Sequence, residues 1–254
     1  MHEREVLMQT PRHYSKAPIK EAIIDLRVVL PEGFSVDKLG GIHPLIDDRF
    51  SSKEPLIAGS FMLQAVPSLT VNASQQHNGF VFRSKDNLKV FQATLSGFTF
   101  NRLTPYESWE EFRDDARYLW QIYKDICEPV SVTRAAVRYI NQLNIPTKEL
   151  DDLREYLSTV PEVAPALPQK QLSSFFMQLQ IPQVDLNCML IINEALAPPA
   201  APEFVSIILD FDLFREHIWQ TDDEDVWRFL EALRERKNQV FEASITEKTR
   251  RLIE

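Results

Sequence analysis

The chain has 254 residues, of which 44% are hydrophobic and 26% charged, the balance of a folded globular protein rather than a disordered one. Asp and Glu outnumber Lys and Arg by 37 to 28, a net charge of −9. That acidity argues against a general nucleic-acid binder, which needs surplus cations to meet the phosphate backbone. Two cysteines cannot build a disulfide scaffold, no stretch reaches the about 18 apolar residues of a membrane span, and Met1–Lys16 lacks a signal-peptide core. A cytoplasmic protein with Cys127 and Cys188 as buried, reduced thiols is the expectation.

In chain order, the first clear element is a strand. Ala22, Ile24, Leu26, Val28 and Leu30 alternate with Glu21, Ile23, Asp25, Arg27 and Val29, giving one apolar and one mixed face. Further strands are predicted at 60–69, 79–83 and 88–100, with Lys85-Asp86-Asn87 as a tight turn. Phe80, Phe82, Phe91, Phe98 and Phe100 cluster there on both faces, and their setting in an acidic chain favours core packing over base stacking.

From Glu107 to Ile126 the apolar positions Trp109, Phe112, Ala116, Leu119, Tyr123 and Ile126 recur in steps of three and four, which predicts a helix. Its start is marked twice, by Thr104-Pro105 and by a capping box of Ser108 with Glu111. Glu107, Glu110, Glu111, Asp114 and Asp115 read as its wet side.

The next strand, 133–145, puts Val137, Tyr139, Leu143 and Ile145 on one face with Asn141, which must then be buried and hydrogen-bonded. Arg134, Arg138, Gln142 and Asn144 share the other face. Strands at 174–181, 186–193 and 204–213 follow, with proline-rich connections around 161–168 and 198–202. A second long helix begins after Thr221, with Val226, Phe229, Leu230, Leu233 and Val240 as its buried stripe and Arg234, Glu235, Arg236 and Lys237 as a solvated face. A terminal segment has its own box of Ser244 and Glu247.

The order strand, short helix, three strands, long helix occurs twice. At a spacing of 115 residues Leu30-Pro31 matches Ile145-Pro146, Phe61-Met62 matches Phe176-Met177, and Val66-Pro67 matches Ile181-Pro182. The predicted architecture is therefore α+β: internally duplicated β-α-β-β-β-α units that form a largely antiparallel sheet with two long helices on one face. Residues 1–20 are an N-terminal segment, and 21–128 and 129–254 are the two repeats of one compact domain.

No familiar chemistry is written in the chain. The histidines have no metal-ligand spacing, there is no Cys-x-x-Cys, no phosphate loop, and no nucleophile elbow. No catalytic residue, metal or cofactor is assigned. What stands out is a polar strand face, and the candidate binding residues are Glu21, Asp25, Arg27, Arg134, Arg138 and Gln142. If the two leading strands are neighbours, Arg138 pairs with Asp25 or Glu21 across them. That face is either a groove floor for a small polar ligand or protein partner, or a solvated sheet face with cross-strand ion pairs.

Ala17-Pro18-Ile19-Lys20-Glu21-Ala22, then Val137-Arg138-Tyr139-Ile140-Asn141, then Lys237-Asn238 with Phe241 and Ser244-Ile245-Thr246, resemble the corresponding segments of one family. It is a family of sporadically distributed bacterial proteins of about this length with no defined function. The resemblance implies a stand-alone bacterial cytoplasmic protein, and its patchy distribution suggests carriage on mobile or defence islands. It transfers no site residues. The functional expectation is a non-catalytic binding or regulatory module for a protein partner or small polar ligand, compatible with a homodimer. The alternative is an enzyme with a dispersed site in which Asp25 or Glu21 acts as acid/base and Arg138 stabilises negative charge.

Overall fold

Segments with an apolar residue at every second position bury one face and leave the other open, and nine of them pair here into one antiparallel sheet. The structure is a computed structural model, which describes residues 12–65, 69–146, 150–169, 172–222 and 224–254, apart from the side chains of 58–65, 69–75 and 150–152. In chain order the elements are β1 (Ile19–Val29), a 3-10 segment (Val36–Leu45), β2 (Ser52–Ala65), β3 (Leu69–Arg83), β4 (Lys89–Thr94), β5 (Gly97–Leu103) and α1 (Trp109–Cys127). Then come β6 (Ser131–Ile145), β7 (Phe176–Gln183), β8 (Cys188–Ala197), β9 (Val205–Trp219), α2 (Glu224–Ser244) and α3 (Glu247–Ile253).

The sheet order is β2-β3-β4-β5-β1-β6-β9-β8-β7, so β1 and β6 are neighbours at the centre. Their register sets Ile24 opposite Val137 and Ala22 opposite Tyr139, while Ile24 also faces Phe100 on β5 and Tyr139 faces Phe211 on β9. One continuous apolar face results, and both long helices cover it. Phe112 of α1 stacks on Phe100 at 5.4 Å, and Phe241 of α2 meets Phe211 edge-on at 6.5 Å. The two helices run antiparallel, joined by Arg113 and Trp109 to Glu231, Arg117 to Glu224, and Lys124 to Asp222.

Several sequence expectations are corrected in detail. The segment 88–100 is two strands, because Leu95-Ser96 make a two-residue turn that pairs Thr94 with Gly97. The Thr94 hydroxyl donates to the Gly97 carbonyl at 3.0 Å and fixes that turn. The expected strand 60–69 falls on the end of β2 and the start of β3, and residues 66–68, hence Val66-Pro67, lie outside the described residues. The first half thus carries four strands after its 3-10 segment, where three were predicted. Counting outward from the β1–β6 seam, β7 lies opposite β3, so matching Phe61-Met62 of β2 to Phe176-Met177 of β7 joins strands of unequal rank.

Helix ends and faces differ too. Ser108 alone caps α1, accepting from the Glu111 amide at 3.1 Å. Ser244 does not cap α3; its hydroxyl turns back to the Val240 carbonyl at 2.8 Å, and Thr246 is the N-cap residue. The five phenylalanines lie on a single face, since Phe82, Phe91 and Phe100 share one cross-strand row and Phe80 and Phe98 the next, each aligned with the buried face of β1. Asp115 is not on the wet side of α1: it is sunk against Arg49 and Lys89, two cations from the loop and β4 that draw it inward.

Candidate functional site

The face of the sheet opposite the helices belongs at its centre to the residues that alternate with the core. On β1 these are Glu21, Ile23, Asp25 and Arg27; on β6, Arg134, Ala136, Arg138, Ile140, Gln142 and Asn144; on β9, Ile208, Asp210, Asp212 and Phe214. Antiparallel pairing brings β6 between one acidic strand on each side, which is why its arginines find partners in both directions.

Arg134 donates to Asp25 on β1 at 2.7 Å and to Asp212 on β9 at 3.3 Å, and its guanidinium lies over the Phe214 ring at 4.3 Å. Arg138 holds Asp210 with two hydrogen bonds of 2.7 and 2.6 Å, the bidentate geometry that makes an arginine–carboxylate pair strong and directional. Asp25 also accepts from Thr99 at 2.8 Å and from Arg27 at 3.2 Å, while Glu21 accepts from Asn101 at 2.5 Å. The lattice continues outward: Asn193 on β8 donates to Asp210 at 2.9 Å, and Gln178 on β7 donates to Asn193 at 2.8 Å. Burial raises the pKa of Asp212 from its ordinary value despite its two arginine neighbours, whereas the hydrogen bonds that Arg138 donates to Asp210 hold the guanidinium even more firmly in its charged form.

Five of the six residues expected from sequence meet in this lattice. Arg138 differs from expectation in its partner: its hydrogen bonds go to Asp210, and it is Arg134 that reaches Asp25. The reason is register, since Arg138 lies opposite Ile23 on β1 and Asp212 on β9, with Asp210 one side-chain step along the same face. Gln142 stands apart. It bonds to Asn144 at 3.3 Å and, with Lys16 and Lys20, lines a recess of about 320 Å³ between the start of β1, the end of β6 and α3.

The lattice is layered by depth. In two pairs the carboxylate lies deep and the guanidinium on top: the Arg138 side chain is 41% exposed over an Asp210 that is 6% exposed, and Arg27 is 50% exposed beside an Asp25 at 13%, whereas Arg134 and Asp212 lie at nearly equal depth. At the Arg138–Asp210 and Arg27–Asp25 pairs the group that solvent meets is the guanidinium.

Sequence reasoning missed four residues of note. Asp210 and Asp212 were readable from the alternation of Ile207, Leu209, Phe211 and Leu213, which leaves the acids on the polar side. Lys237 is not on a solvated helix face: it lies against the sheet, its ammonium 4.1 Å over the Tyr139 ring, and burial aided by Arg234 lowers its pKa to about 7. Its spacing from Leu233 and Phe241 placed it on the buried stripe. The Tyr139 hydroxyl meets that of Tyr106 at 2.9 Å beside it. Glu194 shares the buried side of β8 with Leu190, is only 2% exposed, and has one oxygen without a hydrogen-bond partner among the described residues. Burial pushes its carboxyl up to about 7.

Among the described residues no group of three or more His, Cys, Asp and Glu side chains could hold a metal ion, and no helix is long and apolar enough to cross a membrane. Cys127 and Cys188 are both buried and free. Comparison with protein-family models and with curated proteins returns no match. The molecule therefore stands, on its own geometry, as an α+β protein whose large antiparallel sheet has one helix-covered face and one face bearing an ordered lattice of arginines and acids.

Proposed function

We propose that this is a non-catalytic binding module of a bacterial cytoplasmic system, and that the open face of β1, β6 and β9 docks an acidic protein segment by its carboxylates. The observation that carries the reading is the layering: Asp210 and Asp25 lie sunk and orient Arg138 and Arg27, whose outer edges face solvent. Buried acids spend no free energy on the ligand; they hold the guanidiniums in fixed forks, which suits planar carboxylate recognition. An open sheet face with Ile23, Ile140 and Phe214 between the charges fits an extended protein surface better than an enclosed small molecule. In the same reading the two halves are one unit written twice, with β2 as an added outer strand, and their seam forms the floor of the site.

The acid/base alternative fits less well. Asp25 already accepts three hydrogen bonds, from Thr99, Arg134 and Arg27, so most of its acceptor positions are committed to its neighbours rather than to a substrate proton.

The test titrates a labelled glutamate-rich peptide, with citrate as the small-carboxylate arm and a single-stranded oligonucleotide as the phosphate arm. Binding of the peptide that weakens with salt, and falls by about tenfold or more in Arg27→Gln combined with Arg138→Met/Asp210→Met, supports the proposal. Changing Arg138 and Asp210 together avoids leaving a buried carboxylate unpaired. Preference for citrate reassigns the face to small polyacids, and preference for the oligonucleotide, or binding unchanged by the substitutions, overturns it.

A further inference from the structure

The two edges of the sheet are built differently. At one edge β2, after Ser52, carries Lys53, Glu54 and Pro55, charges and a proline that discourage another strand from adding over its first residues, while residues 56–65 that follow carry no charge. At the other edge β7 reads Phe-Met-Gln-Leu-Gln-Ile-Pro-Gln, and residues 172–183 contain no charged side chain. In a chain of net charge −9, this is a strip along which two copies can approach without opposing like charges. Asp185, the nearest following acid, is engaged by Arg236. The strip is also exposed and apolar: Phe176 is 69% exposed and Ile181 39%.

The backbone of β7 has a symmetry of its own. Leu196 donates its amide to the Phe175 carbonyl at 3.4 Å, directly opposite in register, so residues 175, 177, 179, 181 and 183 are the ones that bond to β8. Residues 176, 178, 180 and 182 therefore point their N–H and C=O groups off the edge. Pro182, which has no N–H, falls in that outward series, where it breaks no bond to β8. The outward positions that can both donate and accept are Phe176, Gln178 and Gln180, a set centred on Gln178.

We propose that β7 is a homodimerisation edge. Two copies meet antiparallel about a twofold axis at Gln178, Phe176 of each pairing with Gln180 of the other, to give one continuous sheet through both molecules. On the helix-covered side the same register sets Met177 against Leu179 of the second copy and Ile181 against its Phe175, so apolar groups meet apolar groups. Pro182 bounds the paired stretch on both sides and stops the interface from sliding into a longer register. The proposed ligand of the face around Arg138 does not enter this inference, although Gln178 also bonds to Asn193 at the outer end of that lattice.

Sedimentation-velocity measurements on the full chain, across a range of concentrations, read the result directly. The wild-type protein is expected at twice the monomer mass. Gln178→Pro deletes the central outward N–H without touching the backbone bonds to β8, losing there the exposed side-chain hydrogen bond to Asn193, and Gln178→Lys sets two like charges on the axis; both are expected to sediment as folded monomers, with circular dichroism matching the wild type. A wild-type protein that stays monomeric at every concentration overturns the proposal. So does a dimer that survives both substitutions, because it must then use another surface.

Discussion

Glu194 and Lys237 lie on the helix-covered face, each with its ionisation opposed by burial, and their signs are opposite. The carboxyl of Glu194 is raised from 4.5 to about 7, so between those values the folded state holds a proton that the unfolded chain gives up. Stability from this group is full below pH 4.5 and declines as pH rises towards 7. The amine of Lys237 is lowered from 10.5 to about 7, with Arg234 on the same helix adding to the effect and Tyr139 and Tyr106 packed beside it. Between pH 7 and 10.5 the unfolded chain binds the extra proton, and stability rises across that interval. Together the two groups produce a shallow minimum near neutrality. Urea unfolding measured against pH is expected to lose the falling limb in Glu194→Leu and the rising limb in Lys237→Met. Glu194→Leu, which matches Leu190 and Leu196 on the same face, is also expected to stabilise the protein by about 1–3 kcal/mol at neutral pH by removing an unsatisfied buried oxygen. Lys237 was visible in the helical stripe, yet its charge led the reading to solvent, while Glu194 lies one residue beyond the predicted strand 186–193 and was not assigned a face. The polar strand face was legible for the converse reason: Asp25, Arg134 and Arg138 recur at every second or fourth position beside an apolar set. Arg138's partner was not, because cross-strand register depends on β9, whose pairing no local pattern encodes.

Helices were the most legible elements, since a stripe of six apolar residues over α1 leaves little choice of face. Their ends were harder. Thr104-Pro105 and Ser108 both carry helix-start signals, and only the second has a hydroxyl placed to accept an amide at the first turn. Ser108→Ala is expected to cost about 1 kcal/mol, read as a lower urea midpoint with an unchanged slope. An unaltered midpoint places the cap elsewhere. The strands were located but divided wrongly where a turn is short. Leu95-Ser96 interrupts an otherwise alternating run for two residues, too briefly to break the pattern, and its closure rests on Thr94 and Gly97. A Cβ at Gly97 would lie 2.2 Å from the Leu26 carbonyl oxygen on β1, so the glycine admits the close approach of the neighbouring strand there. No alternation rule reports that contact, which joins residues far apart in the chain.

At the scale of the molecule, the question is whether residues 21–128 and 129–254 are two folding units or one. The seam between them is the middle of the sheet. β1 and β6 pair along most of their length, and the buried Ala22, Ile24 and Leu26 are fully enclosed only when Ala135, Val137 and Tyr139 lie beside them. Separating the halves would turn both central strands into edges, expose their unpaired backbone groups, and part α1 from the ion pairs and tryptophan contact it makes with α2. Neither half keeps a closed core of its own, so the chain is expected to unfold as one cooperative unit. The four tryptophans allow a direct reading, as Trp109 and Trp120 report on the first half and Trp219 and Trp227 on the second. Two variants, Trp219→Phe/Trp227→Phe and Trp109→Phe/Trp120→Phe, each keep reporters in one half only. In each, the fluorescence transition in urea should coincide with the loss of far-ultraviolet circular dichroism from the whole chain. Two separated transitions in either variant would mean that one half persists after the other has melted, and the seam would then be a docking interface between autonomous units.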